Sequence, residues 1–161
     1  MSSSNEFSAL FLQNQICFPF YAISRLTIKL YEPLLNELGI TYTQYLVLLV
    51  LWQEDQLTVN EIGSRLFLES NTLTPLLKRL EQKALLSRVR SQEDERKVVI
   101  SLTEKGQALK LEAVKIPGKI LENFSGEAFS MEEAVQLQQH LFRMLEALDQ
   151  KSTGSSERLS C

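Results

Sequence analysis

A chain of 161 residues, 44% apolar and 23% charged, suffices for one folded domain with its own core, and its longest apolar runs fall well short of the ~18 residues that span a bilayer. Two cysteines at opposite ends, Cys17 and Cys161, exclude a disulfide scaffold and a zinc finger, and the single His140 excludes a multi-histidine metal site and argues against a Ser-His-Asp hydrolase. The net charge of −3 hides an uneven layout: residues 65–97 carry eight Lys/Arg against five Asp/Glu, a local +3 that leaves −6 elsewhere, as in a module that docks on phosphates in one place.

The opening Met1-Ser2-Ser3-Ser4-Asn5-Glu6 has no basic stretch followed by an apolar one, so no secretory leader is expected, and sparse cysteines predict a reducing, cytoplasmic setting. Residues 1–13 read as a short arm. Apolar residues then recur at helical spacing over 16–38 (Phe20, Ile23, Leu26, Leu30, Leu34, Leu38). Pro19 is tolerated only in a first turn, which starts this helix near residues 14–16 and puts Cys17 in that turn; Pro33 is expected to bend or break it. Thr41-Tyr42-Thr43-Gln44 is a capping box opening a helix apolar on all sides over 45–52, hence a core or subunit-interface element.

Leu57-Thr58 reads as a short strand, with Thr58 or Asn60 capping a helix over 61–67. A turn at Glu69-Ser70-Asn71 leads to a helix over about 72–83, then two β-prone runs, 86–91 and 97–102, joined by the charged loop Gln92-Glu93-Asp94-Glu95-Arg96. Thr103-Glu104 caps a long helix interrupted at Pro117-Gly118. Ser130-Met131-Glu132-Glu133 opens a last helix to about residue 150 with an apolar face (Val135, Leu137, Leu141, Met144, Leu145, Leu148), and a Ser/Gly-rich, flexible tail follows over 151–161. The expected fold is mainly α with a small β-wing: an arm and dimerisation/sensor helix over 1–40, a winged helix-turn-helix over 41–102, and C-terminal dimerisation helices over 103–150.

At about 100° per residue, Leu73, Leu76, Leu77 and Leu80 form one core-facing stripe. The opposite face carries Asn71, Pro75, Lys78 and Gln82, with Thr74 and Arg79 flanking, and Ser70 and Thr72 stand beside Asn71 as further candidates at the N-terminal end. Short polar residues let a helix end approach base edges, while Lys and Arg supply charge and donors. The same face would also suit a merely solvated helix. The ribbon decides between them: Arg88, Arg90, Arg96 and Lys97 place positive charge on two strands, with Arg96 at a tip suited to a minor groove and Asp94 placed to hold its guanidinium in a bidentate pair. Double-stranded DNA is the expected partner, with neither cofactor, metal nor membrane.

The stretch Leu73-Thr74-Pro75-Leu76-Leu77-Lys78-Arg79-Leu80-Glu81, with Asp94-Glu95-Arg96, resembles the DNA-binding block of MarR-type transcriptional regulators. More narrowly, Asn14-Gln15-Ile16-Cys17-Phe18 with Tyr21, and the run from Tyr42 to Trp52, resemble the organic-hydroperoxide-sensing, OhrR-like branch, over roughly residues 12–150. Glu69 and Asn71 stand where that family usually has Asp and Gly, and Thr43 where it usually has Pro; the first pair bears on operator preference. The resemblance implies a homodimeric repressor, not an enzyme, that reads a pseudo-palindromic operator and releases it when Cys17 is oxidised. It makes Cys17 the sensing thiolate, hydrogen-bonded by Tyr31 and Tyr42. It also implies a disulfide partner, either a small thiol or a second cysteine near the C-terminal helices; Ser125 and Ser130 stand in that region, which leaves Cys161 as the candidate resolving thiol or as a tail residue without a role.

On residue chemistry alone, Cys17 among Ile16, Phe18 and Phe20 is equally a core-filling residue, although a helix N-terminus favours a thiolate. A regulator controlled by a small phenolic ligand, with Cys17 structural, is the alternative, and a thiol peroxidase is disfavoured by the absence of a CxxC motif and of a nearby base. Trp52 and Tyr21 read as packing, and His140 as a surface residue.

Overall fold

Two 3-10 turns, Ser8–Leu10 and Leu12–Asn14, lead into the 21-residue helix α1 (Cys17–Glu37) in a computed structural model that describes residues 7–91, 94, 96–124 and 130–156. Of the bend or break expected at Pro33, the break does not occur: α1 runs on to Glu37 and closes at Gly39, whose φ of +67° suits glycine. The carbonyl that Pro33 leaves without a donor is that of Lys29, an exposed residue that water can serve.

Helix α2 (Tyr42–Gln53) begins with the expected capping box: Thr41 Oγ1 accepts from Gln44 N at 3.4 Å, and Gln44 Oε1 accepts from Thr41 N at 3.1 Å. It buries Tyr45, Val47, Leu48, Val50 and Leu51 and forms the spine of the core. Strand β1 (Leu57–Thr58) passes directly into α3 (Val59–Leu66), where Thr58 and Glu61 make a second capping box. Bonds from the Thr58 hydroxyl and backbone N–H hold the Glu61 carboxyl below its ordinary range. The turn after α3 uses Phe67 in the left-handed region (φ 53°).

Helix α4 (Ser70–Gln82) starts two residues before the expected boundary. Pro75 tolerates this because the one bond it removes is to the carbonyl of Asn71, an exposed residue. Leu73, Leu77 and Leu80 are fully buried and form the core face of α4, whereas Leu76, expected in the same stripe, is half-buried at its edge. Strands β2 (Leu86–Arg90) and β3 (Val98–Leu102) complete a three-stranded antiparallel sheet in the order β1-β3-β2, with Leu86 opposite Leu102, Arg88 opposite Ile100 and Arg90 opposite Val98.

Helix α5 (Glu104–Ala113), capped by Thr103, packs on α2 and β3 through Gly106. A Cβ on Gly106 would lie 2.0 Å from the Leu85 carbonyl oxygen, and the Gly106 carbonyl accepts the Trp52 indole N–H at 2.9 Å. The break in the C-terminal helices lies at residues 114–115, not at Pro117-Gly118 as expected. Pro117 sits in the first turn of the next helix, α6 (Ile116–Phe124), where no N–H is required of it.

The chain divides into two units, Met1–Pro117 and Gly118–Cys161. In the second, Ser130 and Glu133 exchange capping-box bonds of 2.8 and 3.2 Å at the start of α7 (Met131–Ser156), and they hold the Glu133 carboxyl low. Helix α7 continues six residues beyond the expected end at 150, so the proposed tail begins later; residues 157–161, Cys161 among them, lie outside the described residues. Among the described residues, no single helix is long and apolar enough to cross a membrane.

Candidate nucleic-acid interface and sensor thiol

With Leu73, Leu77 and Leu80 turned inward, α4 leaves Ser70, Asn71, Thr72, Pro75, Lys78, Arg79 and Gln82 exposed and Thr74 half-buried. Thr74 is already engaged, its hydroxyl donating to the Ser70 carbonyl at 2.7 Å. Lys78 and Arg79 lie on the exposed face, so a phosphate meeting it meets two neighbouring cations. If each neutralises one phosphate, Lys78→Ala and Arg79→Ala will each flatten the dependence of log affinity on log salt by about 0.9. Titrations from 50 to 200 mM salt measure this, and unchanged slopes in both variants would return this face to plain solvation.

The wing departs from expectation at two residues. Arg88 Nε donates to Glu81 Oε2 at 2.8 Å, so this cation ties β2 to α4 instead of standing free for DNA. Sequence separation hid the pair, since seven residues and a turn lie between its members. Asp94 does not grip the Arg96 guanidinium: its Oδ1 accepts the Arg96 backbone N–H at 3.1 Å, and its carbonyl accepts Lys97 N at 2.8 Å. Asp94 therefore shapes the tip as a turn-forming residue, which a short carboxylate one turn back does readily. Arg90, Arg96 and Lys97 are exposed on the ribbon, while Gln92, Glu93 and Glu95 of the charged loop lie outside the described residues. We expect Arg96→Ala to weaken DNA binding by roughly 1–3 kcal/mol with an unchanged circular dichroism spectrum; wild-type affinity would remove the wing from the interface.

Cys17 is the first residue of α1 and is a free, exposed thiol beside exposed Ile16 and Phe18, so within this chain it is not core filling. Tyr31 and Tyr42 come together from α1 and α2 with ring centroids 4.9 Å apart, but Cys17 is not with them. It lies 14 positions from Tyr31 on one continuous helix, about 21 Å along its axis at 1.5 Å per residue. Cys17 therefore cannot reach the Tyr31–Tyr42 pair inside one chain.

Burial pushes the Tyr31 and Tyr42 phenols above the ordinary tyrosine value, with the neighbouring Tyr42 adding to the effect on Tyr31. Tyr45, which packs 5.9 Å from Tyr31, is pushed up to about 12 by burial and by the same two phenols. A raised value means the folded state holds the proton more tightly. Any stability from these neutral phenols is complete below the unfolded value of 10.0 and is lost as pH climbs towards their folded values, so near neutrality all three are O–H donors. Sequence reasoning passed over Tyr45 as a member of this cluster; its spacing of three from Tyr42 on one helix was the available signal.

Tyr45 also stacks edge-on with Trp52 at 6.2 Å and, with Leu49, Lys110, Val114 and Pro117, lines an open apolar groove of about 450 Å³. Outside it, the N-terminal segment and α1 expose Leu10, Leu12, Tyr21, Ile23 and Leu26, and α7 exposes Val135, Leu137, Leu141, Met144 and Leu148. His140 is exposed, its Nδ1 2.7 Å from the Gln136 carbonyl.

Residues 29–113 match the family described as transcriptional regulator SarA/Rot. The chain is 53% identical over 148 residues to the organic hydroperoxide resistance transcriptional regulator of Bacillus subtilis (strain 168), a match covering 92% of this chain and 99% of that protein. It superposes on the structure of reduced AbfR bound to DNA with a TM-score of 0.71 and 42% identity over 85% of this chain and 94% of that one. On disulfide-formed AbfR the TM-score is 0.60 with 40% identity, over 92% and 99% of the two chains; AbfR is a Staphylococcus epidermidis protein. With a winged helix-turn-helix at its centre and relatives this similar along most of its length, the chain belongs to the MarR-type SarA/Rot family of transcriptional regulators, in its OhrR-like branch.

Proposed function

We propose that the chain is a homodimeric, DNA-binding repressor that senses organic hydroperoxides through Cys17 and releases its operator when that thiol is oxidised. The observation that carries this reading is an exposed thiol at the first residue of α1, in a chain of this branch, with a pair of neutral tyrosine donors about 21 Å further along. The exposed apolar faces of α1 and α7 pair two copies, and the donors to Cys17 are then Tyr31 and Tyr42 of the partner subunit. Each sensor site is thus shared between chains, and the two readers address a pseudo-palindrome. The division of labour is sensor and dimerisation helix over 1–40, DNA-binding module over 41–102 and dimerisation helices over 103–150.

The Cys17 thiolate attacks the terminal oxygen of ROOH; an S–O bond forms, the O–O bond breaks, and the departing alkoxide takes a proton to leave ROH. Sulfur loses two electrons and the peroxide gains them. Tyrosine O–H groups stabilise the thiolate beforehand without a cation. The sulfenic acid then condenses with a thiol, small or Cys161, releasing water and leaving a disulfide that a second thiol reverses. Each Cys17 reacts once and then waits for reduction, the behaviour of a sensor, and the thiols of a reducing, cytoplasmic setting would reset it.

Gel shift of reduced protein on a duplex selected from a random-sequence pool, repeated after one equivalent of tert-butyl hydroperoxide, tests the reading. Loss of binding restored by dithiothreitol is the expected result. Binding that ignores the hydroperoxide and yields to a phenolic acid would favour ligand control through the Tyr45–Trp52 groove, and sustained peroxide consumption would favour a peroxidase.

A further inference from the structure

Lys83 is the C-cap of the recognition helix α4, and its side chain reaches away from that helix to a different part of the fold. Its Nζ donates to the Gly39 carbonyl at 2.6 Å and to Gln44 Oε1 at 2.9 Å. Gly39 closes α1, the helix of Tyr31. Gln44 lies in the first turn of α2, two residues after Tyr42, and the same Oε1 accepts the Thr41 N–H at 3.1 Å to complete the cap. At 3% exposure, Gln44 is the buried polar side chain of the described core, so its oxygen has little water to fall back on. One ammonium thus clasps the end of α1, the start of α2 and the end of α4, and α1 and α2 are the helices that carry Tyr31 and Tyr42. On its other side, the Lys83 carbonyl accepts Lys105 Nζ of α5 at 3.0 Å.

We propose that Lys83 is the positioning residue that carries a displacement of the tyrosine pair to the recognition helix. The proposal rests on the redox reading above. Apolar contacts between α2 and α4 tolerate small slips, whereas two short, charge-assisted bonds to fixed acceptors either hold or break. Burial of Gln44 favours holding. A shift of the α1–α2 turn therefore draws the C-terminal end of α4 with it, and the helix turns as a lever away from the groove it reads. Gly39 and Gln44 give the ammonium acceptors at both helix ends, so a movement of either is felt.

The experiment compares Lys83→Met, which keeps the apolar stem and loses the donors, with Lys83→Arg, which keeps charge and donors. For each, Cys17 oxidation by tert-butyl hydroperoxide is followed by loss of free thiol, and Kd for the selected duplex is measured in both redox states. In Lys83→Met we expect thiol oxidation within about twofold of wild type and reduced-state affinity within about fivefold. The oxidised-to-reduced Kd ratio should collapse from about 100 to below about 10. Lys83→Arg should restore the ratio, and Gln44→Met should reproduce the collapse without adding to that of Lys83→Met. A wild-type ratio in Lys83→Met overturns the proposal, as does an equal loss of affinity in both states, the mark of a merely structural contact. Wild-type protein that keeps its DNA after complete Cys17 oxidation overturns the redox reading along with it, and the wild-type control alone reveals that case.

Discussion

Cys17→Ser protein will bind operator DNA with the affinity of the reduced wild type and will keep it through a hydroperoxide treatment that weakens wild-type binding about 100-fold. That loss requires only about 2.8 kcal/mol of difference between the oxidised and reduced states. Serine is close to the thiol in shape and, at the exposed first residue of α1, leaves the helix start and the exposed apolar surface beside it intact. What it removes is a nucleophile that can be oxidised. A sulfur bearing an added oxygen or a second sulfur is larger and differently polar, and close-packed helices respond by moving as bodies because they cannot deform locally. Fluorescence anisotropy before and after tert-butyl hydroperoxide measures the effect. If Cys17→Ser still lets go of DNA on oxidation, the sensing group is elsewhere. Cys161→Ser should still respond, with altered reversibility, and a complete loss of response there would move the decisive chemistry to a two-cysteine route.

Gly106→Ala is expected to cost about 3 kcal/mol of folding stability, near the upper end for overpacking. The added methyl would sit 2.0 Å from the Leu85 carbonyl oxygen and 3.1 Å from a Leu102 methyl. The first neighbour is backbone and cannot rotate away. That carbonyl also accepts Thr103 N at 3.2 Å, so a shift that relieves the clash strains the cap of α5. It disturbs the Trp52 bond to Gly106 as well, and with it the contact between α5 and the core helix α2. For a chain of this size, 3 kcal/mol is a fall in melting temperature of about 6–12 °C. Differential scanning calorimetry measures it, and an unchanged melting temperature would mean that α5 stands further from β2 and β3 than described.

The order of helices and strands was largely legible in the sequence because its signals are local. Thr41/Gln44 and Ser130/Glu133 announce helix starts within four residues, and the leucine stripe of α4 appears as burial of Leu73, Leu77 and Leu80. The misplaced helix boundaries near prolines share one cause, too strong a weight on proline as a helix breaker. Pro33 and Pro75 each remove a single bond whose acceptor belongs to an exposed residue, and Pro117 occupies a first turn. The proposed sensor was legible only in its parts. The family resemblance singled out Cys17, Tyr31 and Tyr42, but helical rise separates the thiol from both phenols, and periodicity carries no information about a second chain. The Arg88–Glu81 and Lys83–Gln44 pairs were illegible for a related reason, since they join positions that only tertiary folding brings near.

The Arg88–Glu81 bond makes the base of the wing and the recognition helix a single solid piece, with Leu80, Leu85 and Leu86 buried between them. Recognition then separates into two independent properties. Which bases a half-site prefers depends on the shape of that piece, and the spacing it demands depends on where two such pieces stand. A switch that moves the pieces without bending them changes tolerance for the spacer while preserving the letters read on either side. Oxidised protein crowded onto DNA would then read the same alphabet with a different ruler.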